Sequence, residues 1–349
     1  MSDRPFAIIT TRLPPAMCGV GAHSALLRKS WPGSSPVEFL VMDGASESSL
    51  FCDGDRVTQF DGESGKLARA LDRLGAADVV LHYAGRAYQR FGCPIWLPGV
   101  LAKWKRKFRT GRLLVFVHEA PGDLPFASRH FWLGKVNVWI LRQLASTADV
   151  LVTNTEHHRE KLARLSGRSD VHLVPVGSNI EEREGQRSPR ARREFVLFGL
   201  PFGRAQTLRM FEHRLRRWQA QGLLTTLHII GPDGDGFTGP AVRHGVLPGA
   251  EVARLLQRAQ FALTNVTSET WSKSTAFMAC ALHGCAPVIS GSRPPAVPLS
   301  YAIASDEVET IVEVELQRRA AGLRRWYEEN AAWPIVAARL AALLEGAKR

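Results

Sequence analysis

Cysteine is scarce in this chain, acidic residues are outnumbered, and long apolar runs are missing. Five cysteines among 349 residues (Cys18, Cys52, Cys93, Cys280, Cys285) are an odd number without paired metal-ligand spacing, and Cys280 and Cys285 lie in an apolar stretch. They read as reduced thiols in a reducing compartment rather than as a disulfide framework. No apolar run reaches the roughly 18–20 residues that cross a bilayer. Met1 to Pro15 carries only the short apolar run Phe6 to Ile9 and no small-residue cleavage site, unlike a secretion signal. The expectation is a cytoplasmic protein, with contact at the inner face of the membrane left open. Asp and Glu total 33 against 45 Lys and Arg, a net charge of +12. That excess calls for an anionic partner or a solvated basic surface, and does not choose among nucleotide, nucleic acid and anionic lipid.

What is present is the balance of a globular protein: 45% hydrophobic and 22% charged residues. The length exceeds the roughly 250–300 residues at which one core stops growing, so two domains are expected. Apolar runs at Phe6 to Thr10, Phe39 to Met42, Asp78 to His82, Leu113 to His118, Val150 to Thr153 and Val171 to Pro175 alternate with helical patterns. Continuous apolar strands of this kind belong to a parallel sheet covered on both faces. The run Asn179 to Glu194, NIEEREGQRSPRARRE, is too polar to bury a face and reads as a linker. Strand and helix alternation then restarts at Phe195 to Phe198, Thr226 to Ile230, Phe261 to Thr264 and Pro287 to Ser290. From Ala320 the pattern is helical, with Leu323, Trp326 and Tyr327 in one cluster, Ile335, Ala338, Leu340 and Leu343 in another, and a break at Pro334. The predicted division is 1–178, a linker 179–194, 195–319, and C-terminal helices 320–349 that pack back on the first domain.

In open parallel sheets ligands bind beyond the carboxyl ends of the strands, so the loops after the predicted strands are the places to look. After the first strand, TRLPPAMCGVGAHS places Gly19 and Gly21 at a helix start, where backbone N–H groups approach an anion or a sugar; a tight structural turn is the plainer reading. The strand LLVFVHE ends in His118 and Glu119, whose side chains diverge by strand alternation, so one of the two reaches a ligand. A strand-end histidine is also often a satisfied structural residue. In the second half, FGLPFGR sets Gly199, Gly203 and Arg204 where a diphosphate would suit two close backbone approaches and one guanidinium. The loop TNVTSETWSKST brings Lys273, Ser274 and Thr275 to a helix N-terminus. Capping accounts for Ser274 and Thr275, but a lysine there opposes the helix dipole, a local conflict expected at functional sites.

These segments resemble the retaining GT-B glycosyltransferases of the large bacterial family that includes cell-envelope polysaccharide sugar transferases, a family 4-like pattern. The resemblance rests on TTRLPPAMCGVGAHS, LHYAGRAYQRFGCPIWL, FVHE, ADVLVTNTE, FGLPFGR, and HGVLPGAEVARLLQRAQFAL followed by ALHGCAPVIS, in that order over nearly the whole chain. It implies an α/β protein of two doubly wound Rossmann-like domains facing each other across a cleft, with the donor nucleotide on the C-terminal domain and the acceptor on the N-terminal side. Carried over, Arg204 and Lys273 would hold the diphosphate, Gly21 would lie near the donor and His118 near the transferred sugar. No metal and no organic cofactor are implied, the two cations taking the metal's place. Glu269 fits the first of two family glutamates, but Phe277 stands eight positions on and Ala279 stands where the helix pattern would put the second. FGLPFGRAQT also lacks the lysine that usually follows the arginine in that loop.

The function so implied is transfer of a sugar, with retention, from a nucleotide-sugar to a glycan or lipid-linked acceptor in cell-envelope polysaccharide or glycolipid synthesis. The alternatives are a catalytically degenerate GT-B binding protein, and a nucleotide-sugar epimerase, for which no acid and base carboxylates can be placed. No nucleic-acid recognition module is visible. Lys103 to Arg109, KWKRKFR, with Phe126, Phe131 and Trp132, is either a membrane-facing surface or a solvated basic helix.

Overall fold

The computed structural model describes residues 4–16, 18–33, 35–43, 54–120, 131–182 and 190–347, the side chain of Arg192 excepted. The chain forms two compact units, Met1–Pro175 with Trp333–Arg349, and Val176–Ala332.

In chain order the first unit contains β1 (Phe6–Thr10), α1 (Gly19–Lys29), β2 (Val37–Val41), β3 (Arg56–Gln59), α2 (Ser64–Leu74), β4 (Asp78–Tyr83), α3 (Gly85–Tyr88), α4 (Trp96–Lys107), β5 (Arg112–Val117), α5 (Phe131–Thr147), β6 (Val150–Thr153), α6 (Glu156–Ser166) and β7 (Val171–Leu173). The seven strands make one parallel sheet in the order β3-β2-β1-β4-β5-β6-β7. Because successive strand residues point to opposite faces, β1 splits its apolar side chains between two cores. Ala7 and Ile9 join Val79, Leu81, Val115 and the helices α2, α4 and α5 on one face. Phe6 and Ile8 join Val80, Leu114 and Phe116 on the other. That second face is covered by α1 and by the last helix of the chain (Trp333–Gly346), whose Val336, Ala337, Leu340 and Leu344 are buried there.

The second unit contains β8 (Ala191–Phe198), α7 (Pro201–Ala220), β9 (Thr226–Ile230), β10 (Val242–Arg243), α8 (Gly249–Arg258), β11 (Ala259–Leu263), α9 (Thr275–His283), β12 (Ala286–Ile289), β13 (Ile303–Ala304) and α10 (Glu313–Asn330); the returning helix of the first unit is α11. Its six strands are again all parallel, in the order β10-β9-β8-β11-β12-β13. Leu208, Phe211, Leu215 and Trp218 of α7 cover one face, and Val252, Leu256, Ala279 and Cys280 of α8 and α9 cover the other.

The boundaries sit differently from those read in the sequence. The units divide between Pro175 and Val176, and the chain rejoins the first unit at Trp333. α10, grouped by pattern with the returning helices, belongs to the second unit because Leu323 and Tyr327 bury against α9. The helix break at Pro334 does mark the passage from α10 to α11. Within the polar run, 183–189 lie outside the described residues, while Ala191 to Glu194 already belong to β8. Arg190 is fixed there by donating to the carbonyls of Leu256 (3.0 Å), Ala259 (2.6 Å) and His283 (2.6 Å). These carbonyls close α8 and α9, helix ends that favour a cation.

Candidate functional site

A doubly wound sheet has one place where neighbouring strands send their chains to opposite sides, and a crevice opens there at the carboxyl ends. In the second unit this place lies between β8 and β11. The loop leaving β8 runs through Gly199 and Leu200 into α7, whose first residue is Pro201 and whose N-cap supplies no side-chain bond. The loop leaving β11 runs from Thr264 through a short 3-10 turn, Trp271–Lys273, into α9. Asn265 Nδ2 donates to Gln206 Oε1 at 3.1 Å, tying the second loop to the first helix. Two helix N-termini, each carrying partial positive charge and free N–H groups, thus open on one sheet edge.

Of the residues singled out in the sequence, Gly203, Glu269, Lys273, Ser274 and Thr275 all lie on these two loops or at these helix starts. Lys273 is exposed, and its ammonium makes no hydrogen bond or ion pair among the described residues. Glu269 is likewise exposed. Ser274 is the N-cap of α9, its hydroxyl oxygen accepting from the Phe277 N–H at 3.2 Å, so capping is one of its roles. Thr275 is the first residue of α9 and half-buried. Gly203 has open space where a side chain would stand. α9, TAFMACALH, carries no acidic residue, and Phe277 and Ala279 are both buried in the core.

Arg204 departs from the expectation of an outward phosphate ligand. It is 1% exposed and pairs with Asp235 at 2.8 Å. The guanidinium also donates to the carbonyls of Gly199 (2.6 Å), Ile230 (3.2 Å) and Pro232. With these acceptors its donors are spent inside the protein, and a bound anion finds none facing it. Gly231 makes room for it: its φ is +126°, and a Cβ there would lie 2.1 Å from Arg204 Nη1 and 2.3 Å from the Gly199 oxygen. Arg243 closes the other side of Asp235 at 2.9 Å. Its hydrogen bond, helped by the Phe237 N–H and by Arg204, holds the Asp235 carboxyl well below the usual carboxylate range. Arg204 is therefore a brace between the loops after β8 and β9. Asp235, its partner, gave no sign in the sequence because nothing local couples residues thirty-one positions apart.

Gly19, Gly21 and His118 belong to the first unit. Gly19 opens α1 with no neighbour within 4 Å of its missing side chain. Gly21 is glycine for a steric reason: a Cβ would fall 1.4 Å from the Arg12 carbonyl oxygen. His118, expected to point into a cleft, is only 8% exposed and turns into the core. Its ring stacks on Phe116 at 4.5 Å and its Nε2 lies 3.1 Å from His82 Nδ1. Strand alternation explains this, since Phe116 and His118 point to the same face, the one under α1 and α11. Third in the group is His23 of α1, also buried, with ring centroids 4.9 Å from those of His82 and His118. Burial pushes all three imidazoles below the ordinary histidine range, His118 to about 3, with neighbouring histidines adding to it. His23 and His82 were not singled out in the sequence, where nothing marks their approach to His118.

Trp104, read as part of a basic and aromatic surface, is buried and donates to the Gly75 carbonyl at 2.9 Å. Lys105 is held by Asp149 at 2.6 Å, and Lys107 by Asp72 at 3.0 Å. Lys103, Arg106 and Arg109 remain exposed, as does Trp132 on α5; Phe126 lies outside the described residues.

The sequence matches no family model and no curated protein. The structure matches several solved ones over almost their whole length. The N-terminal domain of Candida albicans trehalose-6-phosphate phosphatase is 12% identical, with 99% of this chain and 97% of that one covered at a TM-score of 0.64. An alpha-glucosyltransferase in complex with UDP and a 13-mer DNA containing a HMU base is 12% identical, with 98% and 99% covered at 0.61. WaaG, a glycosyltransferase involved in lipopolysaccharide biosynthesis, is 12% identical, with 98% and 100% covered at 0.56. The fold is GT-B. At these identities the likeness is one of architecture, and it applies to both parallel sheets of the chain.

Proposed function

We propose that the protein is a glycosyltransferase that takes a sugar from a nucleoside-diphosphate donor held at the carboxyl edge of the second sheet. The observation that carries this reading is the pairing of the α7 and α9 N-termini at the β8/β11 switch point, with the Lys273 ammonium, unpaired among the described residues, one residue before the α9 cap. Several structures of the same fold are glycosyltransferases, two of them solved with UDP, which supports a nucleotide-sugar as the ligand. A sugar leaving a diphosphate puts negative charge on the departing phosphate, and fixed positive groups there lower the barrier. Loss of one such group typically costs on the order of 10² to 10³ in rate. Lys273 and the N–H groups of Thr275 and its neighbours fill that role, while Arg204 acts one step removed by fixing the loop on which α7 begins. Glu269, exposed on the same loop, is the carboxylate we assign to the donor's sugar or ribose.

Retention at the anomeric carbon, a glycan or lipid-linked acceptor of cell-envelope synthesis, and transfer without a metal or organic cofactor at the donor complete the reading. Peripheral contact with an anionic membrane belongs to it as well, through Lys103, Arg106 and Arg109. The acid-free α9 favours one rival, a GT-B protein that binds the nucleotide and transfers nothing. A thermal-shift panel of nucleoside diphosphates and their sugars tests binding, since a ligand at 100 times its Kd stabilises by ~2.7 kcal/mol. Transfer of labelled sugar from the stabilising donor then separates enzyme from binding protein. A panel in which no nucleotide shifts the melting curve would end the proposal.

A further inference from the structure

We infer that His23, His82 and His118 form a binding site for one transition-metal ion of the zinc class in the first unit, a site distinct from the donor edge of the second. Three observations converge. One nitrogen from each imidazole lies within 4.8 Å of the others. On a tetrahedral ion with Zn–N bonds of about 2.0–2.1 Å, two nitrogens stand about 3.4 Å apart, so the group needs only small ring movements to close on an ion. His82 Nδ1 and His118 Nε2, which share a hydrogen bond at 3.1 Å, already stand close to that spacing.

The second observation is that the cluster does not satisfy itself. Among the described residues both nitrogens of His23 and Nε2 of His82 are buried without a hydrogen-bond partner, although buried polar atoms are nearly always paired. A histidine placed only for packing would more readily be a phenylalanine, which fills the same space without the desolvated nitrogens. The third is the enclosure. His23 meets Phe116 edge-on at 5.2 Å and Trp333 at 4.8 Å, so the rings form an apolar wall around the nitrogens. Such a wall keeps the imidazoles neutral, the form that binds metal, and nitrogen-only donor sets suit zinc, nickel, copper and iron rather than magnesium or calcium. An ion there would pin α1 to the ends of β4 and β5.

The test uses the full chain, freed of metal by chelation, without a histidine tag, and reconstituted with Zn²⁺ before gel filtration. Expected is one zinc per chain in wild type by elemental analysis, a raised melting temperature, and a visible absorption band of protein-bound Co²⁺ when Co²⁺ replaces zinc. In His23→Phe, which keeps the ring and removes both nitrogens, retained metal should fall to background while the far-ultraviolet circular dichroism stays that of wild type. His213→Ala, at an exposed histidine of the second unit, should retain zinc like wild type. Wild type that keeps no zinc, or His23→Phe that keeps as much as wild type, overturns the inference. Should His23→Phe fail to fold, X-ray absorption of the zinc-loaded wild type decides: three imidazole ligands support the site, and fewer refute it.

Discussion

Arg204 and Lys273 carry one charge each, yet their surroundings assign them different work. Arg204 lies in the protein with Asp235 and three carbonyls around it. Removing one partner of a buried pair typically costs 3–5 kcal/mol. Asp235 keeps Arg243, so Arg204→Met is expected at the lower end, about 3 kcal/mol, read as a fall in the urea midpoint. Lys273→Ala, at an exposed and unpaired position, is expected to change stability by less than ~0.5 kcal/mol while weakening nucleoside diphosphate binding in titration calorimetry. Equal affinity in Lys273→Ala and wild type would remove the proposed phosphate contact. Asp235 also gives a pH dependence. Its folded pKa is depressed, chiefly by Arg243, so its stabilisation is complete above the unfolded value of about 3.9 and is lost as pH falls below it. Urea midpoints measured from pH 5 to 3 should drop less steeply in Asp235→Asn than in wild type.

At the scale of elements, what the sequence announced was what a few consecutive residues can encode. Apolar runs located β1, β4, β5, β6, β9 and β12 to within a residue or two, because a strand buried on both faces is apolar throughout. β3, with the sequence RVTQ on the sheet edge, and the two-residue β10 and β13 bury too little to leave such a run. The α1 start shows the same limit at a site. Its glycines suggested an anion cradle, yet Gly21 answers to the Arg12 carbonyl, a contact that only the folded loop creates. Gly21→Ala should therefore destabilise by more than ~2 kcal/mol through overpacking, whereas Gly19→Ala, with open space, should be neutral or slightly stabilising through helix propensity. Thermal unfolding of the two variants checks this; equal melting temperatures would show that the loop yields.

For the whole molecule, the basic charge remains to be placed. Among the described residues no helix is long and apolar enough to span a bilayer. The Lys103–Arg109 segment offers Lys103, Arg106 and Arg109, since Trp104 is in the core and Lys105 and Lys107 are paired. With each basic residue near an anionic surface contributing ~1 kcal/mol, the triple change to Ser should lower co-sedimentation with anionic vesicles at low salt and leave neutral vesicles unaffected. Binding equal to wild type would identify an ordinary solvated helix.

The strand and helix alternation and the division into two α/β units are properties of short stretches, and the sequence by itself determined them. Local periodicity and the long, continuous apolar strands leave few folds open. Which charges face outward was decided by the tertiary structure alone. Arg204 turned inward because Asp235, thirty-one residues away, waits beneath it. His118 turned inward because it follows Phe116, the register partner of His82, by two residues on the same face, and helix packing brought His23 against both histidines. Such meetings depend on register and packing between distant segments, and no pattern of neighbouring residues contains them.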